Sequence, residues 1–166
     1  MKKIIIILFV ISSLFLLSNS NEIIIPKESI RFRVIANSNS LEDQNKKKLI
    51  TNELLTSIIP NANNDTLLTY ENKIENIIPK IKEKLDIYNI EYNINYGNNY
   101  FPSKTYKGIK YPSGYYKSLV ITLGKGIGNN FWCVLYPPLC LIDDENTDEI
   151  QYKSIVLDTI NKYINK

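Results

Sequence analysis

Residues 30–40 read Ile30-Arg31-Phe32-Arg33-Val34-Ile35-Ala36-Asn37-Ser38-Asn39-Ser40 and predict a strand that leads directly into a helix. Apolar side chains recur at every second position from Ile30 to Ala36, which is the period of a half-buried strand. The four residues that follow carry short polar side chains of the kind that cap helices. Asp43 stands three residues after Ser40, like the acidic arm of a capping box. We therefore expect a helix from about Leu41 to Ser57 that buries Ile50, Leu54 and Ile58.

A second helical region is predicted from Leu67 to about Tyr88, where apolar residues recur at helical spacing. Pro79 lies inside it and predicts either a kink or two short helices, because proline lacks the amide hydrogen. A last helix is expected from Glu149 to about Tyr163. The residues that we expect this last helix to bury are Ile150, Val156, Leu157 and Ile160.

The strands are predicted mainly between these helical regions. Alternation from Ile90 to Tyr96 ends at Gly97. A second strand-like piece around Tyr100 to Tyr106 is broken by Pro102, and two further strands are expected at 115–123 and 131–135. We interpret the glycine-rich segment between the last two strands as a hairpin connection. The fold class predicted is α+β: a mostly antiparallel sheet of about four to five strands, with helices packed on one face and a C-terminal helix.

The first twenty residues are typical of an export signal. Lys2 and Lys3 precede a largely apolar stretch, 4–17, and Ser18-Asn19-Ser20 resembles a signal-peptidase site. The stretch is shorter than the ~20 residues needed to span a bilayer, although an uncleaved anchor is the alternative. We expect residues 1–20 to be a signal peptide and residues 21–166 to be a single domain, with membrane contact only through this signal or a partner.

The composition excludes several kinds of function. The chain has 20 basic and 17 acidic residues, and without Lys2 and Lys3 the net charge falls to +1, which does not favour nucleic-acid binding. The absence of histidine excludes a Ser-His-Asp or Cys-His apparatus and the commonest zinc ligand. Asp143-Asp144-Glu145 lacks the spacing of a calcium loop. We expect no enzyme, no metal, no cofactor and no small-molecule substrate.

Both cysteines and the single tryptophan lie in the run Phe131-Trp132-Cys133-Val134-Leu135-Tyr136-Pro137-Pro138-Leu139-Cys140. A disulfide between Cys133 and Cys140 requires Pro137-Pro138 to reverse the chain, because a continuous strand would separate the cysteines by more than ~20 Å. Bridged cysteines and buried free thiols both remain open. Trp132 is either an anchor for a partner or a packed core residue.

The only two arginines, Arg31 and Arg33, lie on the same face of the first predicted strand, in a chain with eighteen lysines. Guanidinium groups make bidentate contacts with carboxylates that lysine cannot make. The two interpretations are a site for an acidic partner and a pair of internal salt bridges, for instance to Glu42 or Asp43.

These motifs resemble the stage II sporulation protein R family. The resemblance rests on residues 30–40 with Asp43-Gln44, Phe101-Pro102-Ser103-Lys104-Thr105-Tyr106, Pro112-Ser113-Gly114-Tyr115-Tyr116 and the segment from Gly124 to Cys140. It implies a secreted signal of endospore formation, located between the forespore and mother-cell membranes. The partner that it implies is a membrane-embedded mother-cell aspartic protease, which processes pro-sigma-E once activated.

The alternative function is an exported cell-wall glycan-binding or hydrolytic protein, which could use paired carboxylates without histidine. The candidate disulfide is Cys133–Cys140. The candidate partner-binding residues come from the motifs above: Arg31, Arg33, Asn37, Phe101, Pro102, Tyr106, Phe131, Trp132, Pro137 and Pro138.

Overall fold

The computed structural model of the protein describes residues 22–58, 66–140 and 148–164. The strands in these ranges are β1 (Ile23–Ile24), β2 (Ile30–Ile35), β3 (Tyr92–Phe101), β4 (Lys104–Tyr106), β5 (Ile109–Tyr111), β6 (Gly114–Leu123) and β7 (Asn130–Tyr136). The helices are α1 (Leu41–Ile58), α2 (Leu67–Ile87) and α3 (Glu149–Tyr163). The expected signal peptide, the loop at Pro60 and the cluster Asp143-Asp144-Glu145 lie outside the described residues, as does the side chain of Ile58.

The strands form two sheets. The larger has the order β3-β6-β2-β7, in which β2 is parallel to β6 and antiparallel to β7, while β3 is antiparallel to β6. The smaller has the order β1-β5-β4, with β1 parallel to β5. The α+β class is confirmed, but both sheets are mixed. β2 and β6 can pair in parallel because α1, α2 and three strands separate them along the chain.

The main core lies between one face of the larger sheet and helices α1 and α2. The sheet contributes Phe32, Val34 and their neighbours, whereas the helices contribute Ile50, Leu54, Tyr70, Ile74, Ile81 and Leu85, all buried. Each such side chain contributes roughly 1.5–3 kcal/mol by leaving water. The alternation of residues 30–36 is thus explained, since the even-numbered positions face the helices.

A second core lies between the smaller sheet and α3. It joins Ile25, Ile109, Val134, Leu139, Tyr152, Val156 and Ile160. Helices α1 and α2 therefore pack on one face of the larger sheet, as expected, whereas the C-terminal helix α3 builds a second core with the smaller sheet. Val156 and Ile160 are buried as expected, whereas Ile150 is 82% exposed and Leu157 is 45% exposed. The third residue of the buried stripe is Tyr152.

Two interruptions are absent from the structure: a division of the second helix at Pro79 and a strand end at Gly97. Pro79 lies within a single helix, on its exposed side, where Tyr70 and Ile74 before it and Ile81 and Leu85 after it reach the same core. Gly97 does not end a strand either, because β3 continues through it to Phe101, paired along its whole length with β6. Tertiary packing and strand pairing outweigh the local preferences of these two residues.

The glycine-rich segment after β6 is not a hairpin. β6 and β7 are separated by β2, so residues 124–129 cross the end of β2. The backbone amide of Gly128 donates to the carbonyl of Ala36 at 3.0 Å, and that of Ile127 donates to the carbonyl of Asn37 at 3.3 Å. This connection therefore closes one end of the sheet. None of the helices in the described ranges is both long and apolar enough to span a bilayer.

Candidate partner-binding site

A cavity of about 400 Å³ borders the outer edge of β7. Phe131 and Cys133 line it from the helix side of the sheet, and Trp132 and Val134 line it from the opposite side. β2 pairs with one edge of β7, and no strand among the described residues pairs with the other edge. A cavity that both faces of β7 line therefore passes this second edge. We call this space the β7 cavity.

Arg31 lines the β7 cavity and is only 3% exposed. Its guanidinium carbon lies 4.3 Å from the ring centroid of Tyr116 and 5.4 Å from that of Tyr111. Burial lowers the pKa of Arg31, while the two tyrosines oppose this shift; an arginine nevertheless stays charged in proteins. Within the described residues its Nε and Nη2 atoms have no hydrogen-bond acceptor.

Arg33 continues the same face of β2 and is half-buried. Its guanidinium lies 5.1 Å from the ring centroids of both Phe101 and Trp132, and these two rings meet edge to face at 5.2 Å. Burial lowers the pKa of Arg33 as well. Trp132 is therefore half-buried, with its ring between Arg33, Phe101 and the ammonium of Lys104, which is 5.6 Å away.

Among the described residues, neither arginine forms the predicted internal salt bridge, and Glu42 and Asp43 have other partners. Glu42 pairs with Lys46, and the carboxylate of Asp43 accepts hydrogen bonds from Asn37 Nδ2 at 2.9 Å and Ser38 Oγ at 2.6 Å. The physical reason is geometric: Asp43 is engaged at the loop that follows β2. These bonds also lower the pKa of Asp43.

Three tyrosines, Tyr106, Tyr111 and Tyr152, form the wall of the cavity that lies opposite the larger sheet. Tyr106 of β4 packs edge to face on Tyr152 of α3, with centroids 5.8 Å apart. The hydroxyls of Tyr111 and Tyr152 are 3.1 Å apart. This wall joins the smaller sheet to α3, while Tyr106 remains 42% exposed at the rim.

A disulfide joins Cys133 to Cys140, whose Cα atoms are 5.4 Å apart. The chain reverses at Pro137-Pro138, as a bridge requires, and the amide of Leu139 donates to the carbonyl of Val134 at 3.1 Å. Both cysteines line the β7 cavity. The bridge therefore holds the turn against the strand that carries Trp132.

Asn37 lies at the other end of β2, in a network that fixes the loop over the sheet. Its Oδ1 accepts from the amide of Lys125 at 2.9 Å, while its Nδ2 donates to Asp43. Asn39 Oδ1 accepts from the amide of Asn129 at 2.7 Å. Ser40 Oγ accepts from the amide of Asp43 at 3.2 Å, which is half of the predicted capping box.

Comparison with known proteins matches residues 26–146 to the family model described as stage II sporulation protein R. Stage II sporulation protein R of Bacillus subtilis (strain 168) is 33% identical over 141 residues, which cover 81% of this chain and 63% of that protein. The chain belongs to the stage II sporulation protein R family. The match spans less than two thirds of that relative's length. No solved structure matches the chain.

The structure brings six of the candidate residues of this family member together. Those that line the β7 cavity are Arg31, Phe101, Pro102, Tyr106, Phe131 and Trp132, and Arg33 adjoins them through its contacts with Phe101 and Trp132. Pro137 and Pro138 shape the turn beside it without lining it, among the described residues. Asn37 is engaged in the loop network at the far end of β2.

Several lining residues are not predicted from the sequence, namely Asn52, Leu55, Lys104, Tyr111, Asn130, Val134, Leu139 and Tyr152. Lys104 lies inside the motif 101–106 and Tyr111 is next to another motif, so proximity to a motif could have identified them. Nothing in the sequence places Tyr152 here, because the packing of α3 on the smaller sheet is a tertiary effect. In the described ranges no three potential metal ligands cluster.

Proposed function

We propose that this chain is a secreted signal of endospore formation that binds the extracytoplasmic part of a membrane-embedded mother-cell aspartic protease and thereby triggers processing of pro-sigma-E. The observation that carries the proposal is membership of the stage II sporulation protein R family over residues 26–146. We assign the signalling domain to residues 21–166, after an export signal at residues 1–20. In this account the chain acts between the two membranes and performs no catalysis.

The β7 cavity supports a binding role for this region. Binding energy concentrates in aromatic and arginine side chains that sit in desolvated pockets, and Arg31, Phe101 and Trp132 form such a group. Tyr106 at the rim gives a partner an accessible aromatic contact. The free edge of β7 adds backbone groups beside these anchors.

Activation by binding requires a difference in affinity. The chain can shift the protease toward its active form only if it binds that form more tightly than the inactive one. A shift from one active molecule in a hundred to ninety-nine requires roughly a 10⁴-fold preference. The Cys133–Cys140 bridge and the contacts among Tyr106, Tyr111 and Tyr152 hold the wall of the cavity in place. Such a wall is suited to select one conformation of the protease.

The proposal is tested by expressing the full chain in the forespore of spore-forming cells that lack their own family member. Immunoblots should show conversion of pro-sigma-E to its shorter form. A chain without residues 2–20 should leave the precursor intact, since it is not exported. Hydrolysis of purified wall polymer by the chain, with the precursor unprocessed in cells, would instead establish the wall-hydrolase alternative.

The site is tested in the same cells with Trp132→Ala. This variant should abolish conversion of the precursor while the chain accumulates normally. Leu68→Ala is the matched control, because Leu68 is 66% exposed on α2, outside the cavity lining. Equal conversion of pro-sigma-E with Trp132→Ala and with Leu68→Ala would show that the β7 cavity is not needed for signalling.

A further inference from the structure

Arg31 presents a pair of donors without acceptors. Its Nε and Nη2 lie along the same edge of the planar guanidinium, and this edge can bind a carboxylate through two parallel hydrogen bonds. In the described residues both nitrogens are buried and unpaired. A buried charged donor without a partner is costly, so an arrangement of this kind points to a ligand that completes it.

The residues around Arg31 indicate the charge of that ligand. None of the described residues that line the β7 cavity is acidic, and Lys104 adds a second positive charge. The rings of Tyr111 and Tyr116 lie over the guanidinium, with centroids 5.4 and 4.3 Å from its carbon. Among the described residues, the lining of the cavity therefore carries positive charge and no negative charge, which is complementary to a carboxylate.

The position of the cavity selects the form of the ligand. The cavity borders the edge of β7 with which no strand of the described ranges pairs, and an extended segment can add to such an edge through backbone hydrogen bonds. A volume of about 400 Å³ accommodates a few side chains of such a segment. Phe101 and Trp132 would then contact the apolar neighbours of the acidic residue.

We propose that the β7 cavity binds an extended segment of the protein partner and that Arg31 anchors an Asp or Glu side chain of this segment through its Nε and Nη2. This inference rests on the proposed function, because it names how that partner is recognised. A buried arginine retained for its stacking alone would not distinguish acidic from neutral segments. The discrimination between these two kinds of segment is what the experiment measures.

The probes are fluorescein-labelled overlapping peptides from the extracytoplasmic segments of the protease, measured by anisotropy with the purified full chain. At least one peptide should bind, and replacing one of its Asp or Glu residues by Asn or Gln should weaken binding about 30-fold or more. Arg31→Met should weaken the acidic peptide by a similar factor. It should have little effect on the neutralised peptide, because the lost contact is the same one.

Two further variants separate binding from folding. Arg31→Lys keeps the charge without the fork and should retain only part of the affinity. Lys117→Met removes the same charge from a cation–π contact with Tyr96, outside the cavity lining, and should leave binding unchanged. Thermal unfolding curves show that Arg31→Met and Arg31→Lys are folded at the temperature of the binding measurement.

The proposal is overturned if Arg31→Met weakens acidic and neutralised peptides by equal factors, or if no acidic substitution weakens binding. Conversion of pro-sigma-E in cells is scored in parallel. Conversion without this coupling overturns the carboxylate anchor and leaves the signalling function in place. If conversion and peptide binding are both absent, the proposed function fails together with the anchor.

Discussion

Arg31 and Arg33 place two cations on the central strand, and aromatic rings rather than carboxylates surround them. Four guanidinium–ring contacts lie between 4.3 and 5.4 Å. Each such contact contributes roughly 0.5–2 kcal/mol, more when water is excluded. A guanidinium can lie against aromatic rings and still donate hydrogen bonds from its edge, which the ammonium group of lysine cannot do in the same way.

At the same scale, Gly124 sets the path of the loop that crosses β2. Its φ is +53°, and an added Cβ would lie 2.8 Å from Asn37 Cγ, inside the loop network. Gly124→Ala should therefore lower the free energy of unfolding by roughly 1–3 kcal/mol, measured by chemical denaturation.

Gly97→Ala is the control for this substitution. Gly97 does not have a left-handed backbone, and the nearest atom to its added Cβ is Asn95 Oδ1 at 3.5 Å, an ordinary contact. It should change stability much less. A loss as large as that of Gly124→Ala would show that the loop geometry is not the cause.

Among the elements, β7 combines three roles. It pairs with β2, carries Trp132 into the cavity and is tied by Cys133 to the turn that follows. Alternation correctly predicted that Trp132 and Val134 face away from Phe131, Cys133 and Leu135. It could not predict that β7 is an edge strand, because strand order depends on pairing between distant segments.

Removing the disulfide should measure what the turn contributes. In the chain-entropy model a ring of eight residues contributes about 2.5 kcal/mol, and the two prolines reduce this because they stiffen the unfolded loop. Replacing both cysteines by alanine should therefore lower the free energy of unfolding by about 2 kcal/mol. A reductant should lower the stability of the original chain similarly and leave the double variant unchanged; an equal effect of reductant on both would contradict the assignment.

The helices α1 and α2 are joined at Glu53, whose carboxylate contacts Lys84 Nζ at 2.7 Å and Tyr88 Oη at 2.8 Å. These hydrogen bonds lower the pKa of Glu53, so their stabilisation is present above its unfolded pKa of about 4.3 and is lost as the pH falls through the folded value. Because the pair is partly exposed, Glu53→Gln should cost less than about 1 kcal/mol at neutral pH.

The pH series for Glu53→Gln should show a constant difference from the original chain well above the unfolded pKa of about 4.3. This difference should be lost as the pH falls through the lower pKa of the folded carboxylate. Denaturant midpoints at each pH provide the measurement. Glu83→Gln, an exposed substitution on α2, serves as the control and should show no such step. A difference that grows as the pH falls would contradict a lowered pKa of Glu53 in the folded chain.

Across the whole molecule, local patterns predict the elements better than their arrangement. The sequence predicts helix α3 at its observed bounds, and the caps at Thr66 and Asp148 follow from short polar side chains before apolar runs. The separation into two sheets and two cores was not predictable, because it depends on which distant strands pair. The β7 cavity was predicted only as a set of motif residues, since its far wall comes from α3.

The sequence also predicts only in part which face of α3 is buried. The apolar spacing correctly predicts that Val156 and Ile160 are buried, but it wrongly adds Ile150 and Leu157 and misses Tyr152. The structure buries Tyr152, Val156 and Ile160, because the tyrosine hydroxyl can reach Tyr111 while its ring meets Tyr106. An amphipathic tyrosine at the boundary between core and cavity satisfies both environments.

The chain is proposed to contact its protease partner through the β7 cavity. Site-specific photo-crosslinking in sporulating cells detects such a contact directly. A benzophenone amino acid replaces Tyr106 at the rim of the cavity or Leu68 on α2, both of which are exposed. The account predicts a crosslinked product that contains the protease from position 106 and none from position 68. A product from position 68 alone would contradict it.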